Sequence, residues 1–150
     1  MTNCYKQNNI WRARIKLAQN WANNMSKDPK HKVGALLEHS DERQISIGYN
    51  GLVSGLEETP ENWQQPRKDK FIIHAEMNAI LWASFPKKGS TLYCTMQPCV
   101  TCLKHAVNVG VEHIIYPLDI IIVNADKHYG SEWEDIAKLV NITRILINDV

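Results

Sequence analysis

Long hydrophobic runs are absent from this sequence of 150 residues, and their absence bears on where the protein acts. A helix that crosses a bilayer needs about 20 consecutive apolar residues, and the isoleucine-rich run at residues 120–123 is far shorter. The amino-terminal residues are polar and show neither the apolar stretch nor the cleavage site of a signal peptide. We therefore expect a cytoplasmic protein with no membrane association.

An excess of one charge is also absent, since 17 basic residues face 16 acidic ones and the formal net charge is +1. Proteins that bind long nucleic acids usually need a basic face, because contacts to phosphates supply much of their affinity. We therefore expect a small-molecule substrate and no polymeric nucleic acid. Only 7 glycines and 6 prolines occur, and 44% of the residues are hydrophobic. This composition excludes a collagen-like or disordered chain and predicts a single domain over residues 1–150.

Cysteine is scarce as well, with four in the chain: Cys4, Cys94, Cys99 and Cys102. Disulfides are disfavoured in the cytosol, so closely spaced cysteines there indicate metal binding or redox chemistry. Cys99 and Cys102 form a C-x-x-C pair of this kind. Cys4 and Cys94 are expected as unpaired thiols, the first in a terminal arm and the second in a buried strand.

Hydrophobic spacing divides the chain into helices and strands. Steps of three and four residues and helix-end signals predict helices at residues 10–25, 74–84, 98–109 and 131–140. Short apolar runs predict strands at residues 33–38, 44–49, 91–95, 112–116 and 143–147. The first two strands are predicted as a hairpin. The fold class is therefore α/β, a three-layer α/β/α sandwich around a five-stranded mixed sheet.

Two segments show no clear periodicity. Residues 50–70 are polar, contain glycines and prolines, and are predicted as a long functional loop. Residues 119–126 are apolar, and the choice between a strand extension and an insert stays open. Ser131 begins the next predicted helix, with Glu134 in the position of a capping box.

The chemically distinctive residues stand at two predicted helix starts. Cys99 and Cys102 are three residues apart, so on one helical turn both sulfurs face the same side. The positive end of the helix favours their thiolate forms. Together with His74 they offer one nitrogen and two sulfurs, a set suited to tetrahedral Zn²⁺. Three protein ligands leave a fourth position open, which indicates one catalytic zinc ion per chain.

Glu76 follows His74 by two residues and is predicted as the catalytic proton carrier. Zinc makes hydroxide available at neutral pH, and a carboxylate beside it can move the proton to the substrate and the leaving group. An H-x-E motif followed by P-C-x-x-C is the signature of zinc nucleobase deaminases. A C-x-x-C pair alone would be equally typical of a structural or redox site. A structural zinc would need a fourth ligand, for which Cys94 is the available residue.

Other candidate residues have ordinary structural explanations. The histidines outside the motif lack the spacing of ligands and are expected on the surface or at strand ends: His31, His39, His105 and His113. An apolar stripe around the helix at residues 74–84 is expected to pack in the core: Met77, Ile80, Leu81 and Phe85. Trp82 and Phe85 lie one turn apart, and large apolar residues on such a face often mark subunit contacts. We therefore also expect a homo-oligomer.

Three further segments extend the pattern: residues 26–29 (SKDP) followed by 33–35 (VGA), residues 48–51 (GYNG) with Gly55, and residues 74–80 (HAEMNAI). With these segments the sequence resembles the deoxycytidylate (dCMP) deaminases, of the phage or bacterial type, in the zinc-dependent cytidine deaminase superfamily. The resemblance covers residues 10–147. The tRNA adenosine deaminases look similar only around the zinc motifs.

The resemblance implies a hydrolase that converts dCMP to dUMP and ammonia and so supplies dUMP for thymidylate synthesis. Hydroxide would attack C4 of the cytosine ring, and Glu76 would protonate N3 and then the departing amine. A deaminase of free cytidine, guanine or tRNA adenosine is an alternative enzyme. A catalytically silent, zinc-binding regulatory protein is an alternative of another class. If the gene comes from a phage, the protein would act in the host cytoplasm.

The resemblance also implies contacts to the nucleotide. Asn50 would contact the deoxyribose and Gly51 would lie near the nucleotide, whereas without the zinc motif Asn-Gly would be interpreted as a simple turn. Tyr129 is the candidate for a tyrosine that relatives place near the substrate. Lys27 is the best cation for the phosphate, although a solvated lysine at a helix end fits it almost as well. Residues 120–124 look like an insertion relative to the family.

Regulation and assembly are implied in the same way. Members of the family are commonly homohexamers that dCTP activates and dTTP inhibits, and this effector site would include Tyr49 and Gly55. Val53 stands where many relatives have proline, so the effector response stays open. Phe85 stands where some phage relatives have an arginine near the nucleotide phosphate or a subunit contact. Residues 26–32 contain no cysteine for the second, structural zinc of some relatives. The sequence leaves a hexamer and a dimer both open.

Overall fold

The computed structural model describes residues 2–118 and 129–147, with side chains described from residue 7 onwards. The helices are α1 (Thr2–Met25), α2 (Arg67–Phe71), α3 (Ala75–Leu81), α4 (Val100–Asn108) and α5 (Gly130–Ala137). The strands are β1 (Gly34–Glu38), β2 (Ile45–Tyr49), β3 (Gly51–Leu52), β4 (Ile72–Ile73), β5 (Thr91–Cys94), β6 (His113–Pro117) and β7 (Asn141–Ile145). The predictions for residues 119–126, with the insertion at 120–124, and for the Cys4 side chain lie outside these described residues.

Five strands form one mixed sheet in the order β2-β1-β5-β6-β7. β1 pairs antiparallel with both β2 and β5, whereas β5, β6 and β7 run parallel to one another. Parallel neighbours need a crossover connection, and α4 and α5 lie between these strands along the chain. The predicted five-stranded mixed sheet is therefore confirmed.

Alternate side chains of β1 pack into two different hydrophobic cores, one on each face of the sheet. Leu36 packs in the core with Ile15 and Ala18 of α1, whereas Ala35 and Leu37 pack in the core that contains residues of α3, α4 and α5. Successive side chains of a strand point to opposite faces of the sheet. The helix α1 therefore covers one face, and α3, α4 and α5 cover the other. This arrangement confirms the three-layer α/β/α sandwich.

Two glycines let helices lie directly on the sheet. A Cβ atom at Gly34 would be 2.1 Å from the carbonyl oxygen of Ala18 in α1, and one at Gly48 would be 2.3 Å from the carbonyl oxygen of Ala75 in α3. Such separations leave no room for a side chain, so only glycine permits these approaches. The contact at Gly48 holds the first turn of α3 against β2.

Residues 50–70, predicted as a long functional loop, contain a short strand near their start and the beginning of a short helix at their end. β3 pairs antiparallel with β4, with Gly51 opposite Ile73 and Leu52 opposite Ile72, and α2 comes immediately before β4. Strands of two residues are too short to show a hydrophobic period, which is why the pattern missed them. The β3–β4 pair brings the two ends of this segment together, next to the start of α3.

Some predicted boundaries are also wrong. The helix α1 begins at Thr2 rather than at residue 10, because its first turns are too polar to show an apolar stripe. The strand β7 spans Asn141–Ile145 rather than 143–147, in register with β6. Ser131 does not cap α5, since Tyr129 occupies the N-cap position and no side chain caps the helix.

Within the described ranges, no helix is both long and apolar enough to cross a membrane. Cys94 carries a free thiol and is buried in β5, as predicted.

Candidate active site

The predicted metal ligands stand at the amino-terminal ends of two helices. His74 is the N-cap residue of α3, and Cys99 is the N-cap residue of α4. Both residues have extended backbone geometry, and the Cys99 Sγ accepts a hydrogen bond from the backbone N–H of Cys102 at 3.5 Å. Because α3 and α4 pack together, the two helix starts meet. Helix starts carry partial positive charge, which stabilises thiolates.

The three donor atoms have the spacing of a tetrahedral zinc site. The Nδ1 atom of His74 lies 3.5 Å from the Sγ of Cys99 and 3.4 Å from the Sγ of Cys102. All three donor atoms lie within 4.8 Å of one another. Zinc bonds of about 2.3 Å to sulfur and about 2.0 Å to nitrogen, at a tetrahedral angle, leave these ligand atoms about 3.5 Å apart. The residues present therefore fit one zinc ion, as the sequence predicts.

The pKa values of the two cysteines shift in opposite directions. A hydrogen bond from Cys102 lowers the pKa of Cys99, and the neighbouring His74 lowers it further. The same hydrogen bond, together with burial, raises the pKa of Cys102. The hydrogen bond to Cys99 raises the pKa of His74. Metal ligands must be deprotonated, so zinc binding at these residues would release protons.

Glu76 lies in the first turn of α3 and is almost fully buried, with 4% of its surface exposed. Burial raises the pKa of its carboxyl group and outweighs the opposing effect of the nearby His74. The charges of His74 and Cys99 both act on the pKa of this carboxyl group, which lies beside these two predicted ligands. A buried carboxyl group with a raised pKa is suited to accept and donate protons near neutral pH.

Cys94 does not complete a structural metal site. Among residues 2–118 and 129–147, the group of possible metal donors contains only His74, Cys99 and Cys102. Burial raises the pKa of Cys94 well above its ordinary value, so this thiol stays protonated. The described structure therefore gives no support to the alternative of a structural zinc with Cys94 as its fourth ligand.

Asn50 is buried, and its amide is fully engaged within the protein. The Nδ2 group donates to the Asp28 carboxylate at 3.1 Å and to the His31 carbonyl at 2.8 Å. The Oδ1 atom accepts from the Ser26 hydroxyl at 2.8 Å and from the backbone N–H of Val33 at 2.9 Å. A substrate hydroxyl could reach this amide only by sharing or displacing one of these partners. The predicted contact between Asn50 and the deoxyribose stays a prediction.

Asp28 and Lys68 complete this network, and the sequence analysis missed both. The Lys68 Nζ lies 2.7 Å from the Asp28 Oδ2, and the two side chains are 16% and 2% exposed. Asp28 lies in the segment of residues 26–29 (SKDP) that supports the family resemblance, and this segment was the signal that could have suggested a role for it. Lys68 lies in a segment without periodicity, so no spacing pointed to it.

The structure shows the surroundings of the other residues that are predicted to contact nucleotides. Lys27 is 67% exposed and forms an ion pair with Glu58 at 2.7 Å, and its contact with the phosphate stays a prediction. Tyr49 lies beside α3, since its carbonyl accepts from the Asn78 side chain at 2.8 Å. Gly51 is buried beneath the Tyr49 ring. Gly55 lies in open space on the outer loop, with a φ of +89°.

Tyr129 lies next to the turn that carries Cys99, and its predicted position near the substrate stays a prediction. Its hydroxyl donates to the carbonyl of Gln97 at 3.1 Å. Burial, followed by the nearby charges of Cys99 and Glu76, raises its pKa to about 12. Trp133, which sequence reasoning did not single out, donates from its Nε1 to the carbonyl of Pro98 at 2.8 Å.

The apolar stripe on α3 is only partly a core surface. Ile80 and Phe85 are buried, but Leu81 is 64% exposed and was wrongly predicted as core. Phe85 packs edge-on against His39, so it cannot share an exposed subunit contact with Trp82 as predicted. The helix ends at Leu81, and the chain then turns Phe85 inward. Trp82, which is 74% exposed, stays available for such a contact.

Comparison with known proteins agrees with this site. A family model for the cytidine and deoxycytidylate deaminase zinc-binding region matches residues 10–118. The deoxycytidylate deaminase of Pongo abelii is 31% identical over 122 residues, which cover 77% of this chain and 65% of that protein. The Homo sapiens deoxycytidylate deaminase is 30% identical with the same coverage. This chain thus spans about 65% of the length of these curated relatives.

Solved structures show the same fold. The dCMP deaminase from the cyanophage S-TIM5, in complex with dCMP and dUMP, matches with a TM-score of 0.71 at 27% identity. The match covers 91% of this chain and 97% of the phage protein. Its apo form matches with a TM-score of 0.67 at 26% identity. Because the family model matches well over half of the sequence and the ligand geometry fits zinc, this chain belongs to the cytidine and deoxycytidylate deaminase family.

Proposed function

We propose that the protein is a zinc-dependent hydrolase that converts dCMP to dUMP and ammonia, within one domain over residues 1–150. The observation that carries this proposal is the buried carboxyl group of Glu76 beside the donor atoms of His74, Cys99 and Cys102. Two observations favour dCMP as the substrate: the curated relatives are deoxycytidylate deaminases, and the cyanophage protein was solved with dCMP and dUMP.

The residues of the site have distinct parts in this reaction. His74, Cys99 and Cys102 would hold the ion, and zinc bound there supplies the Lewis acidity that makes hydroxide available at neutral pH. Glu76 takes the proton of the attacking water and delivers it to N3 of the cytosine ring. Glu76 then takes the remaining proton from the hydroxyl group added at C4 and transfers it to the departing amino group, which leaves as ammonia while the C4 carbonyl forms. The overall reaction consumes one water for each dCMP. Burial raises the pKa of the Glu76 carboxyl group, which favours proton transfer in both directions.

The sugar side of the substrate would lie against the buried network around Asn50. The Asp28 carboxylate forms an ion pair with the Lys68 ammonium group and accepts a hydrogen bond from one N–H of the Asn50 amide. Asp28 therefore determines how that amide is oriented. Both N–H groups and the oxygen of this amide have protein partners, so a sugar hydroxyl would share the Oδ1 acceptor or displace one of these partners. The resemblance to dCMP deaminases supports a position of Gly51, the next residue, near the nucleotide.

Assembly and regulation belong to the same proposal. Trp82 is 74% exposed, a large apolar surface that favours a subunit contact in a homo-oligomer, as a hexamer or a dimer. The resemblance to dCMP deaminases favours activation by dCTP and inhibition by dTTP near Tyr49 and Gly55, and a cytoplasmic location. Val53 is 44% exposed on the same loop, where its difference from the proline of many relatives would alter the effector response.

A substrate panel tests the proposal. The zinc-loaded protein is incubated with dCMP, cytidine, deoxycytidine and a tRNA anticodon hairpin, and the loss of the cytosine or adenine absorbance is followed together with ammonia release. We expect dCMP to have the highest kcat/KM. Equal turnover of cytidine would contradict the nucleotide assignment, and zinc binding without turnover of any substrate would favour a silent regulatory protein. Adding dCTP and dTTP, with light scattering, tests regulation and assembly.

A further inference from the structure

Two side chains of the α5 region hold the backbone just before the first cysteine ligand. The Trp133 Nε1 donates to the carbonyl oxygen of Pro98 at 2.8 Å. The Tyr129 hydroxyl donates to the carbonyl oxygen of Gln97 at 3.1 Å. These donors are 35 and 32 residues away along the chain, and both acceptors lie within two residues of Cys99. Consecutive peptide groups are therefore held by groups that are not metal ligands.

This arrangement leaves little freedom in the approach to Cys99. The ring of Pro98 fixes its own φ angle, and Pro98 is fully buried. The hydrogen bonds from Trp133 and Tyr129 restrain the peptide planes on either side of that residue. The position of the Cys99 Cα atom follows from these planes, so the sulfur is already aimed at His74 before a metal binds.

The two donors are themselves anchored to the core. Trp133 is only 5% exposed, and its ring contacts that of Tyr116 in β6 edge-on, with centroids 6.5 Å apart. The rings of Tyr129 and Trp133 also meet edge-on at 6.5 Å. The central sheet and α5 therefore fix the positions from which the two hydrogen bonds are donated.

Trp63 provides an internal comparison. It is also buried, with 8% exposure, but its Nε1 has no hydrogen-bond partner among the described residues. Replacing either tryptophan with phenylalanine removes the same atoms. Only the replacement of Trp133 removes a hydrogen bond to the backbone just before Cys99.

We infer that Trp133 and Tyr129 are positioning residues for zinc, which hold the Gln97–Pro98 backbone so that Cys99 is preorganised as a ligand. Groups that orient metal ligands without touching the metal typically contribute about tenfold to a hundredfold to metal affinity. The inference rests on the zinc centre of the proposed function. It does not depend on which nucleotide the protein deaminates.

Zinc binding of four proteins tests the inference: wild type, Trp133→Phe, Tyr129→Phe and Trp63→Phe. The zinc dissociation constant of each metal-free protein is measured by competition with a chromophoric chelator. Urea unfolding of the metal-free forms measures the purely structural cost of each change. The Co²⁺-loaded forms are compared by their visible and sulfur-to-cobalt charge-transfer spectra, which report the geometry of the ligands. No substrate is present, so failure of this inference is distinguishable from failure of the proposed deamination.

We expect Trp133→Phe to weaken zinc binding about tenfold and to alter the Co²⁺ spectrum. Tyr129→Phe has a smaller effect in the same direction, because its hydrogen bond is longer. Trp63→Phe destabilises the metal-free protein but leaves the zinc dissociation constant unchanged. The inference is overturned if the zinc affinities of Trp133→Phe and Trp63→Phe agree within twofold. If Trp133→Phe does not fold, unchanged zinc affinity and an unchanged Co²⁺ spectrum in Tyr129→Phe overturn it instead.

Discussion

The ammonium group of Lys68 lies 2.7 Å from the carboxylate of Asp28, and both side chains are largely shielded from water. The same carboxylate accepts from the Asn50 amide at 3.1 Å and from the backbone N–H of Lys30 at 2.8 Å. This ion pair joins α2, in the segment between β3 and β4, to the turn that follows α1. The ion pair therefore connects the segment between β3 and β4 to the Asn50 amide, which is proposed to face the sugar of the substrate.

Replacing Lys68 with methionine should weaken both stability and substrate binding. The change leaves the buried Asp28 carboxylate without its cation, which costs about 3 kcal/mol in the free energy of unfolding. The Asn50 amide loses its fixed orientation, and we expect the KM for dCMP to rise about tenfold while kcat falls less. Urea unfolding and steady-state kinetics measure the two effects. The exposed neighbour Lys70 offers the control Lys70→Met, and equal effects of both variants would contradict this role for Lys68.

The Asp28 network also predicts how stability depends on pH. Burial alone would raise the pKa of Asp28, but hydrogen bonds from Lys68 and from the backbone of Lys30 and His31 bring it below the ordinary 3.8. A carboxyl group with a lowered pKa in the folded state stabilises the protein fully above its unfolded pKa and loses that contribution as the pH falls. The stability difference between wild type and Asp28→Asn should therefore be constant above about pH 5 and shrink below pH 3.8. Urea titrations across this range measure it, and a difference that grows in acid would refute the assignment.

Glu76→Gln should separate chemistry from metal binding. The amide keeps the shape of the side chain but cannot carry a proton, so deamination of dCMP should fall at least a hundredfold. Metal analysis should still find one zinc per chain, since the proposed ligands His74, Cys99 and Cys102 are unchanged. Glu61→Gln is the matched control, because it makes the same change at an exposed residue outside the site and should leave the activity unchanged. Full activity in Glu76→Gln would exclude the proton-transfer role.

Zinc removal should make the thiols of the site reactive in a fixed order. Zinc at 100 times its dissociation constant stabilises a folded protein by about 2.7 kcal/mol, so a chelator should lower the melting temperature. Iodoacetamide should then modify Cys99 first, because its pKa is lowered, and Cys102 more slowly, because this thiol is buried and its pKa is raised. Cys94 should stay unmodified until the protein unfolds, because it is fully buried with a raised pKa. Mass spectrometry of the alkylated peptides checks this order, and early modification of Cys94 would contradict it.

Gly48→Ala should disrupt the packing of α3, the helix that carries Glu76, against β2. The added Cβ atom would lie 2.3 Å from the Ala75 carbonyl oxygen and 2.5 Å from the Ala79 backbone nitrogen, and neither backbone atom can move without shifting α3. We expect a loss of more than about 3 kcal/mol in the free energy of unfolding. Gly51→Ala is the comparison, since its Cβ atom would meet only the Tyr49 ring at 3.3 Å. Thermal unfolding of both variants measures the difference, and similar melting temperatures would contradict the account.

The strands and helices that the sequence pattern located were those with several apolar residues in one period. The pattern missed β3 and β4, which have two residues each and owe their existence to pairing with each other. It also assigned Leu81 to the core, because spacing along a helix does not show where that helix ends. The first turns of α1 were missed because they have no apolar face.

The sequence by itself determined the chemistry of the donor atoms. His74, Glu76, Cys99 and Cys102 could be found because their roles depend on short spacings within single helical turns, which local backbone geometry preserves. Only the tertiary structure decided which partners the remaining polar groups have. The ion pair of Lys27 with Glu58, the cation on Asp28 and the indole donor on Pro98 all join residues far apart in the chain. A hydrogen bond depends on distance and direction after packing, and no spacing along the chain encodes either.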